Sequence, residues 1–198
     1  LKKIAVLILA AGSASRMGRI KQLLPYNNST FLQIAIKNAL ESKANNVYCV
    51  LGANLETIQK EVKTDKVTFI RNPNWKEGLS SSIVVGVEYL LAGKTEIDAV
   101  LIMLADQPHV DSKYIDELIK LHENNKNKIV ASTYENKKGV PAIFPSNNFN
   151  NLLKLKGDKG AKLLLNNPQQ NIITPELKSF EILKDIDTPK DYEQFLKK

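Results

Sequence analysis

Apolar residues fall into two alternating patterns along this chain. Unbroken runs of apolar residues at 4–9, 47–51 and 99–104 predict strands covered on both faces, because a half-covered strand would alternate apolar with polar positions, and 67–70, interrupted by Thr68, reads as a further strand. Between these runs, apolar positions recur at three- and four-residue spacing and predict amphipathic helices. Thr30 caps one whose stripe includes Phe31, Ile34, Ala35 and Leu40, and a short one covers 55–62. Another spans 81–91 and carries Ile83, Val84, Val87, Leu90 and Leu91. Asp111 or Ser112 opens the next, with Ile115, Leu118 and Ile119 inward. The last third is less regular: 129–132 and 142–144 read as strands, 149–155 and 161–165 as helices, adding a mixed or antiparallel piece. Thr188-Pro189, a cap followed by proline at the first helical position, opens a final helix through Tyr192 and Phe195. Buried strands alternating with amphipathic helices predict a three-layer α/β/α fold with a mostly parallel sheet. No linker, repeat or low-complexity tract divides the 198 residues, so a single domain, 1–198, is expected.

Composition narrows the class. With 43% hydrophobic and 25% charged residues the chain is ordinary for a globular protein and unlike a disordered or collagen-like one. Cys49 stands alone, which excludes an intramolecular disulfide framework and a multi-cysteine zinc site; it is expected as a small buried residue. Lys2-Lys3 followed by an apolar run and Gly12-Ser13-Ala14 resembles a secretory signal. A buried strand fits that run better, because later segments repeat its pattern. No run approaches the roughly 20 apolar residues of a membrane span, so a cytoplasmic protein without a membrane partner is expected. The net charge is 28 − 21 = +7. Only Arg16, Arg19 and Arg71 are arginines, and the lysines are dispersed among acidic residues. That pattern reads as a solvated surface without a specific nucleic-acid site, and leaves a positive field suited to an anionic small substrate.

In open α/β sheets, ligands bind beyond the carboxyl ends of the strands, which here means the loops after Leu9, Ile70 and Leu104. The first loop, 10–21, is rich in small residues whose N–H groups can cradle oxyanions, with Arg16 and Lys21 to supply charge. Gly12 and Gly18 fit neither the dinucleotide fingerprint nor a Walker A loop. Asp106-Gln107-Pro108 follows the strand at 99–104. A lone carboxylate there suits magnesium carried by a nucleotide, which takes one or two protein ligands, and suits equally a capping aspartate. Asp185-Ile186-Asp187-Thr188-Pro189 is an ordinary cap unless Asp187 is a second metal ligand. The stretches 72–82 and 156–161 are turns that feed helices or loops that cover a ligand. His109 and His122 make no triad, since no nucleophile elbow is present, and are taken as structural.

Several stretches occur together and in order: Leu9-Ala10-Ala11-Gly12, Arg16-Met17-Gly18, Lys21-Gln22-Leu23-Leu24-Pro25, Asn74-Trp75 with Gly78 and Ser82. Asp106-Gln107-Pro108, Gly139 with Pro141, Gly157-Asp158 with Gly160-Ala161, and the acidic stretch at 185–189 follow. From residue 4 to about 192 the chain resembles the MobA-like nucleotidyltransferases, and most of all their molybdenum cofactor cytidylyltransferase (MocA-like) branch. The resemblance implies a Rossmann-like fold of the nucleotide-diphospho-sugar transferase type. It implies magnesium-dependent transfer of CMP from CTP to the terminal phosphate of a molybdopterin-type acceptor, with a molybdoenzyme or its chaperone as downstream partner. On the same grounds Leu9, Ala10, Ala11, Gly12 and Ser13 would hold the base and ribose, Arg16 and Lys21 the triphosphate, and Gly78 and Ser82 the rest of the nucleotide pocket. Asp106 and Asp187 would hold magnesium, so that Arg16, Lys21 and Asp106 form the catalytic set. Gly139, Pro141, Gly157 and Asp158 would face the acceptor. Guanylyl-transferring relatives usually carry Leu-Ala-Gly-Gly, and the methyl of Ala11 in place of the first of those glycines favours cytosine over a purine. A sugar-phosphate nucleotidyltransferase and a non-catalytic nucleotide-binding accessory protein remain the alternatives.

Overall fold

In a computed structural model that describes residues 3–13, 17–134, 137–176 and 183–197, the first apolar run forms β1 (Ile4–Ala10), buried at all seven positions. Its side chains divide by parity: Val6 and Ile8 pack on one face of the sheet, Ala5, Leu7 and Leu9 on the other. β1 pairs in parallel with β4 (Asn46–Leu51) on one side and β6 (Ala99–Leu104) on the other. β5 (Thr68–Arg71) extends the sheet beyond β4, again in parallel. Beyond β6 the sheet turns mixed: β8 (Lys137–Pro145) is antiparallel to both β6 and β7 (Ile129–Tyr134), and β9 (Ile172–Ile173) returns parallel to β7. The order is β5-β4-β1-β6-β8-β7-β9, a mostly parallel seven-stranded sheet.

Helices cover both faces. On one lie α1 (Phe31–Leu40), α2 (Leu55–Glu61) and α4 (Ser112–Glu123), which send Leu32, Ile36, Ile58, Ile115 and Leu118 into the core. On the other lie α3 (Leu79–Ala92), α5 (Phe149–Leu152) and α6 (Lys162–Leu165), with Ile83, Val87, Leu152 and Leu165 inward. A third cluster joins Met17, Leu24, Phe31, Ile186 and Phe195. It ties the small hairpin of β2 (Pro25–Tyr26) and β3 (Ser29–Thr30), turned through Asn27 and Asn28 at positive φ, to the last helix, α7 (Pro189–Leu196). The three-layer α/β/α reading holds, and Cys49 is buried as expected, its thiol pushed up by burial.

Some local expectations differ. Leu40 and Leu91 are 38% and 54% exposed. At about 100° per residue Leu40 sits half a turn from Phe31, so the inward stripe of α1 is Phe31, Leu32, Ala35, Ile36 and Ala39. α3 begins at Leu79, earlier than the spacing suggested, and buries the small residues Ser80, Ser82 and Gly86 with Ile83, Val87 and Leu90. Gly86 lies so close to Leu7 that a Cβ would sit 2.4 Å from its Cδ2, which sets how near this helix approaches the sheet. The helix expected at 149–155 ends at Leu152. The strand expected at 142–144 runs instead from Lys137 to Pro145, and its register with β7 shifts between Ala131 and Ser132, opposite Val140 and Pro141. Proline has no N–H for the ladder, and the irregularity absorbs it.

Candidate active site

β4 and β6 flank β1 on opposite sides, so the chain leaves the end of β1 one way and the end of β6 the other, opening a crevice at the carboxyl edge. A cleft of about 1330 Å³ lies there.

Leu9, Ala10, Ala11, Gly12 and Ser13 form one wall. A Cβ on Gly12 would meet nothing within 4 Å, so the backbone there is open to close approach by a ligand. The loop is held from behind by its carbonyls. Ala105 N–H donates to Leu9 O at 3.2 Å and Ala53 N–H to Ala11 O at 3.0 Å. Gln22 Nε2 donates to Ala10 O at 2.7 Å and Gly12 O at 2.9 Å. Arg16 lies outside the described residues.

Lys21, in a single 3-10 turn (Lys21–Leu23), reaches across to the opposite wall. Its Nζ donates to Asp106 Oδ2 at 2.5 Å and to Asp187 Oδ1 at 2.7 Å. Burial works against its charge, but the two carboxylates outweigh burial and raise its pKa above the usual 10.5, so it is an ammonium ion at neutral pH. Asp106 follows β6, and Ile186 N–H donates to its carbonyl at 3.2 Å, which brings the 185–187 segment alongside. The second carboxylate oxygen of Asp106, Oδ1, is buried and has no hydrogen-bond partner. A buried, unsatisfied carboxylate oxygen beside a second carboxylate is a donor set that fits a hard divalent cation. Among the described residues no group of three or more His, Cys, Asp or Glu side chains is arranged to hold a metal, so such an ion would complete its shell with substrate oxygens and water.

Behind Asp106, Gln107 is buried and its Nε2 lies 2.6 Å from Tyr134 Oη, 2.8 Å from Asp185 Oδ1 and 3.2 Å from Leu183 O. The Tyr134 hydroxyl donates to Val140 O, and burial raises its pKa, keeping it protonated. The Asp185 carboxyl is pushed up to about 6, first by burial and then by the charge of Asp106.

The floor is formed by the N-terminus of α3. Gly78 has φ +100 and ψ 179, a conformation open essentially to glycine alone. A Cβ there would lie 2.3 Å from Asp158 Oδ1, and Ser80 N–H donates to Gly157 O at 3.0 Å. The two glycine-containing stretches singled out in the sequence therefore lock against each other. Asn72 holds the helix start, its Nδ2 donating to Ser81 Oγ at 2.9 Å and Ser82 Oγ at 3.0 Å.

Of the residues expected here, Leu9 to Ser13, Lys21, Gly78, Ser82, Asp106 and Asp187 all border the cleft, as do Gly139 and Asp158. Pro141 and Gly157 do not line it; their carbonyls accept bonds from Ser132 Oγ and Ser80 N–H. Gln22, Gln107, Tyr134 and Asn72 were given no role from sequence. Gln22 and Gln107 stood inside quoted motifs, and the available signal was an amide side chain next to a loop that needs its carbonyls satisfied. The lysines dispersed in sequence gather here: Lys76, Lys137, Lys138, Lys159, Lys162 and Lys184 border the same cleft as Lys21. His109 packs its ring 4.9 Å from that of Phe195, and His122 is buried on the inner face of α4. No helix among the described residues is long and apolar enough to cross a membrane.

The profile of a family described as "MobA-like NTP transferase domain" matches residues 6–172. The purine catabolism protein PucB of Bacillus subtilis (strain 168) is 29% identical over 197 residues, 93% of this chain and 92% of that protein. The molybdenum cofactor cytidylyltransferase of Escherichia coli (strain K12) is 33% identical over 84 residues, 42% of this chain and 44% of the enzyme. A solved homologue of Rv0371c from Mycobacterium sp. strain JC1 superposes with a TM-score of 0.87 at 26% identity, covering 100% of this chain and 97% of that one. The manganese complex of Rv0371c from Mycobacterium tuberculosis H37Rv superposes at 0.80 with 23% identity, covering 99% of both chains.

Proposed function

This chain belongs to the MobA-like NTP transferase family and is a nucleotidyltransferase, and from that premise we propose that it transfers CMP from CTP to the terminal phosphate of a molybdopterin-type acceptor, releasing pyrophosphate. The observation that carries this reading is the Lys21 ammonium clasped by Asp106 and Asp187 across the cleft from the open backbone at Gly12. It places a cation and two carboxylates on the same cleft as a stretch of open main chain. The whole chain, 1–198, works as one nucleotidyltransferase domain, in the cytoplasm where nucleoside triphosphates are made.

An acceptor phosphate oxygen attacks the α-phosphorus of CTP, a P–O bond forms, and the bond to the β-phosphate breaks as pyrophosphate departs. Both reactants are anions, so positioning and charge neutralisation dominate, and no nucleophilic side chain is required. Lys21 supplies a fixed positive charge. Arg16, by family resemblance, supplies another. The loop from Leu9 to Ser13 receives the base and ribose, and the α3 terminus at Gly78 and Ser82 orients the nucleotide with its positive dipole end. Gly139 and Asp158 border the acceptor side, where Lys137, Lys138, Lys159 and Lys162 attract a polyanion. Asp106 and Asp187 would hold magnesium, which when bound neutralises phosphate charge. The manganese held by the superposable Rv0371c supports a divalent ion here. The choice of CTP is supported by the methyl of Ala11 and by the likeness to the Escherichia coli cytidylyltransferase.

The test is pyrophosphate release from each nucleoside triphosphate, with and without molybdenum cofactor. Release from CTP that requires the cofactor supports the reading. Equal or faster release from GTP removes the cytidylyl assignment, and acceptor-independent rates remove the acceptor.

A further inference from the structure

Every backbone carbonyl from Leu9 to Gly12 is occupied from within the protein. Those of Leu9 and Ala11 accept from Ala105 and Ala53, bonds made by neighbouring strand ends. Those of Ala10 and Gly12 depend on one side chain, Gln22, whose Nε2 spans both. The amide orientation is forced, because Oε1 turned toward the loop would set three acceptors against one another. Gln22 is 6% exposed, and its Oε1 is buried without a hydrogen-bond partner. The amides of Gly12 and Ser13 donate to no acceptor among the described residues. Among the described residues, then, Gly12 and Ser13 present N–H groups without an acceptor, whereas each carbonyl from Leu9 to Gly12 already accepts one hydrogen bond.

We infer that Gln22 is a positioning residue that selects the nucleobase, by sequestering the Ala10 and Gly12 carbonyls so that the loop meets an accepting base edge and refuses a donating one. Cytosine presents two adjacent acceptors, O2 and N3, which successive N–H groups can meet. Guanine presents N1–H and N2–H₂ on the corresponding edge and would need the carbonyls that Gln22 holds. A site that leaves such donors unpaired discriminates more strongly than one that differs by a methyl group, so this contribution exceeds that of Ala11. The inference rests on the reading above that this loop receives the base.

The experiment titrates the wild-type chain, Gln22→Met and Gln22→Glu with CTP, GTP and inorganic triphosphate in the presence of Ca²⁺. Binding is followed through Trp75, the sole tryptophan, which borders the cleft. Gln22→Met keeps side-chain length and removes the donor. Gln22→Glu keeps the shape but turns an acceptor toward the two carbonyls, removing the donor by a second route, and circular dichroism establishes which variants are folded before they are titrated. The wild type is expected to prefer CTP over GTP by at least about 10-fold. Each folded variant is expected to weaken CTP by about 10-fold, bring the CTP:GTP ratio near one and leave inorganic triphosphate within about 2-fold. A variant that keeps the wild-type ratio overturns the role of Gln22. So does a parallel loss of triphosphate, which would make Gln22 a mere prop of the site. A wild type that binds none of the three probes overturns the nucleotide reading itself, an outcome distinct from either.

Discussion

Replacing Lys21 by methionine tests the clasp directly. The ammonium lies 2.5 Å from Asp106 and 2.7 Å from Asp187, and its side chain is 12% exposed, against 23% and 39% for the two carboxylates. At an effective dielectric of about 20, unit charges at such separations attract by about 6 kcal/mol, most of which the desolvation of the three groups takes back. Truncating one member of a buried pair typically costs about 3–5 kcal/mol, because its partner is left buried and uncompensated. The exposure of Asp187 lets water screen its share, so the discounted expectation is about 2–3 kcal/mol lost at pH 7. The assay is urea denaturation of the wild type and Lys21→Met, repeated with millimolar Mn²⁺. The metal is expected to restore most of the loss in the variant by supplying the positive charge that Lys21 no longer gives, and to do less for the wild type, where Lys21 already neutralises part of the carboxylate charge. The pH dependence has a definite sign. The folded pKa of Lys21 is raised above its ordinary 10.5, so its stabilisation is present in full below that value and disappears as pH rises through the folded pKa. The wild-type advantage should thus be constant near neutrality and shrink in strong alkali. A variant as stable as the wild type at pH 7, or a deficit that Mn²⁺ leaves untouched, would refute the reasoning.

Other substitutions probe the remaining parts. Asp106→Asn keeps the shape and removes a charge beside the proposed phosphate path; pyrophosphate release should fall by about 100-fold or more, and the melting temperature should drop by a few degrees because Lys21 keeps only Asp187 as a charged partner. Gly78→Ala forces a side chain into a conformation reserved for glycine and against Asp158, so a stability loss of about 2–4 kcal/mol in urea and weaker CTP binding are expected together. Thr188→Ala removes the capping box that opens α7 and should cost about 1 kcal/mol. The Thr188 hydrogen bond holds Asp191 below its ordinary 3.8, so that contribution is present at neutral pH and fades as pH falls through the acid range. The Thr188→Ala deficit, read from urea midpoints, should narrow near pH 3.

The sheet was legible because its central strands are apolar on both faces: the run at 99–104 is β6 to the residue, and 4–9 falls one short of β1. Thr30 and Thr188 announced their helices because a capping side chain acts within its own turn. Leu40 and Leu91 were misplaced because apolar character alone does not say which side of a helix faces the sheet. β8 was underestimated because Pro141 reads as a strand breaker until the irregular pairing with β7 is seen. In the cleft, Lys21, Asp106 and Asp187 were individually visible as residue types. Their meeting was implied only by the family resemblance, since Lys21 and Asp187 stand 166 positions apart and no spacing in the sequence joins them. Gln22 was invisible for a related reason: its task is defined by two carbonyls whose direction depends on how the loop turns.

The two acids that grip Lys21 are mounted on unequal foundations. Asp106 stands at the tip of β6, paired on both edges at the heart of the sheet. Asp187 rides on the 183–197 segment, which lies outside the sheet and is pinned by rings, Phe195 against Tyr26 at 4.4 Å and against Phe31 at 5.5 Å, with polar ties at Gln107 and Asp106. Such a segment detaches before a sheet interior opens. Under gentle denaturation the enzyme should fall silent while its spectroscopic signature is still native, so catalysis here reports the health of that segment and circular dichroism that of the scaffold.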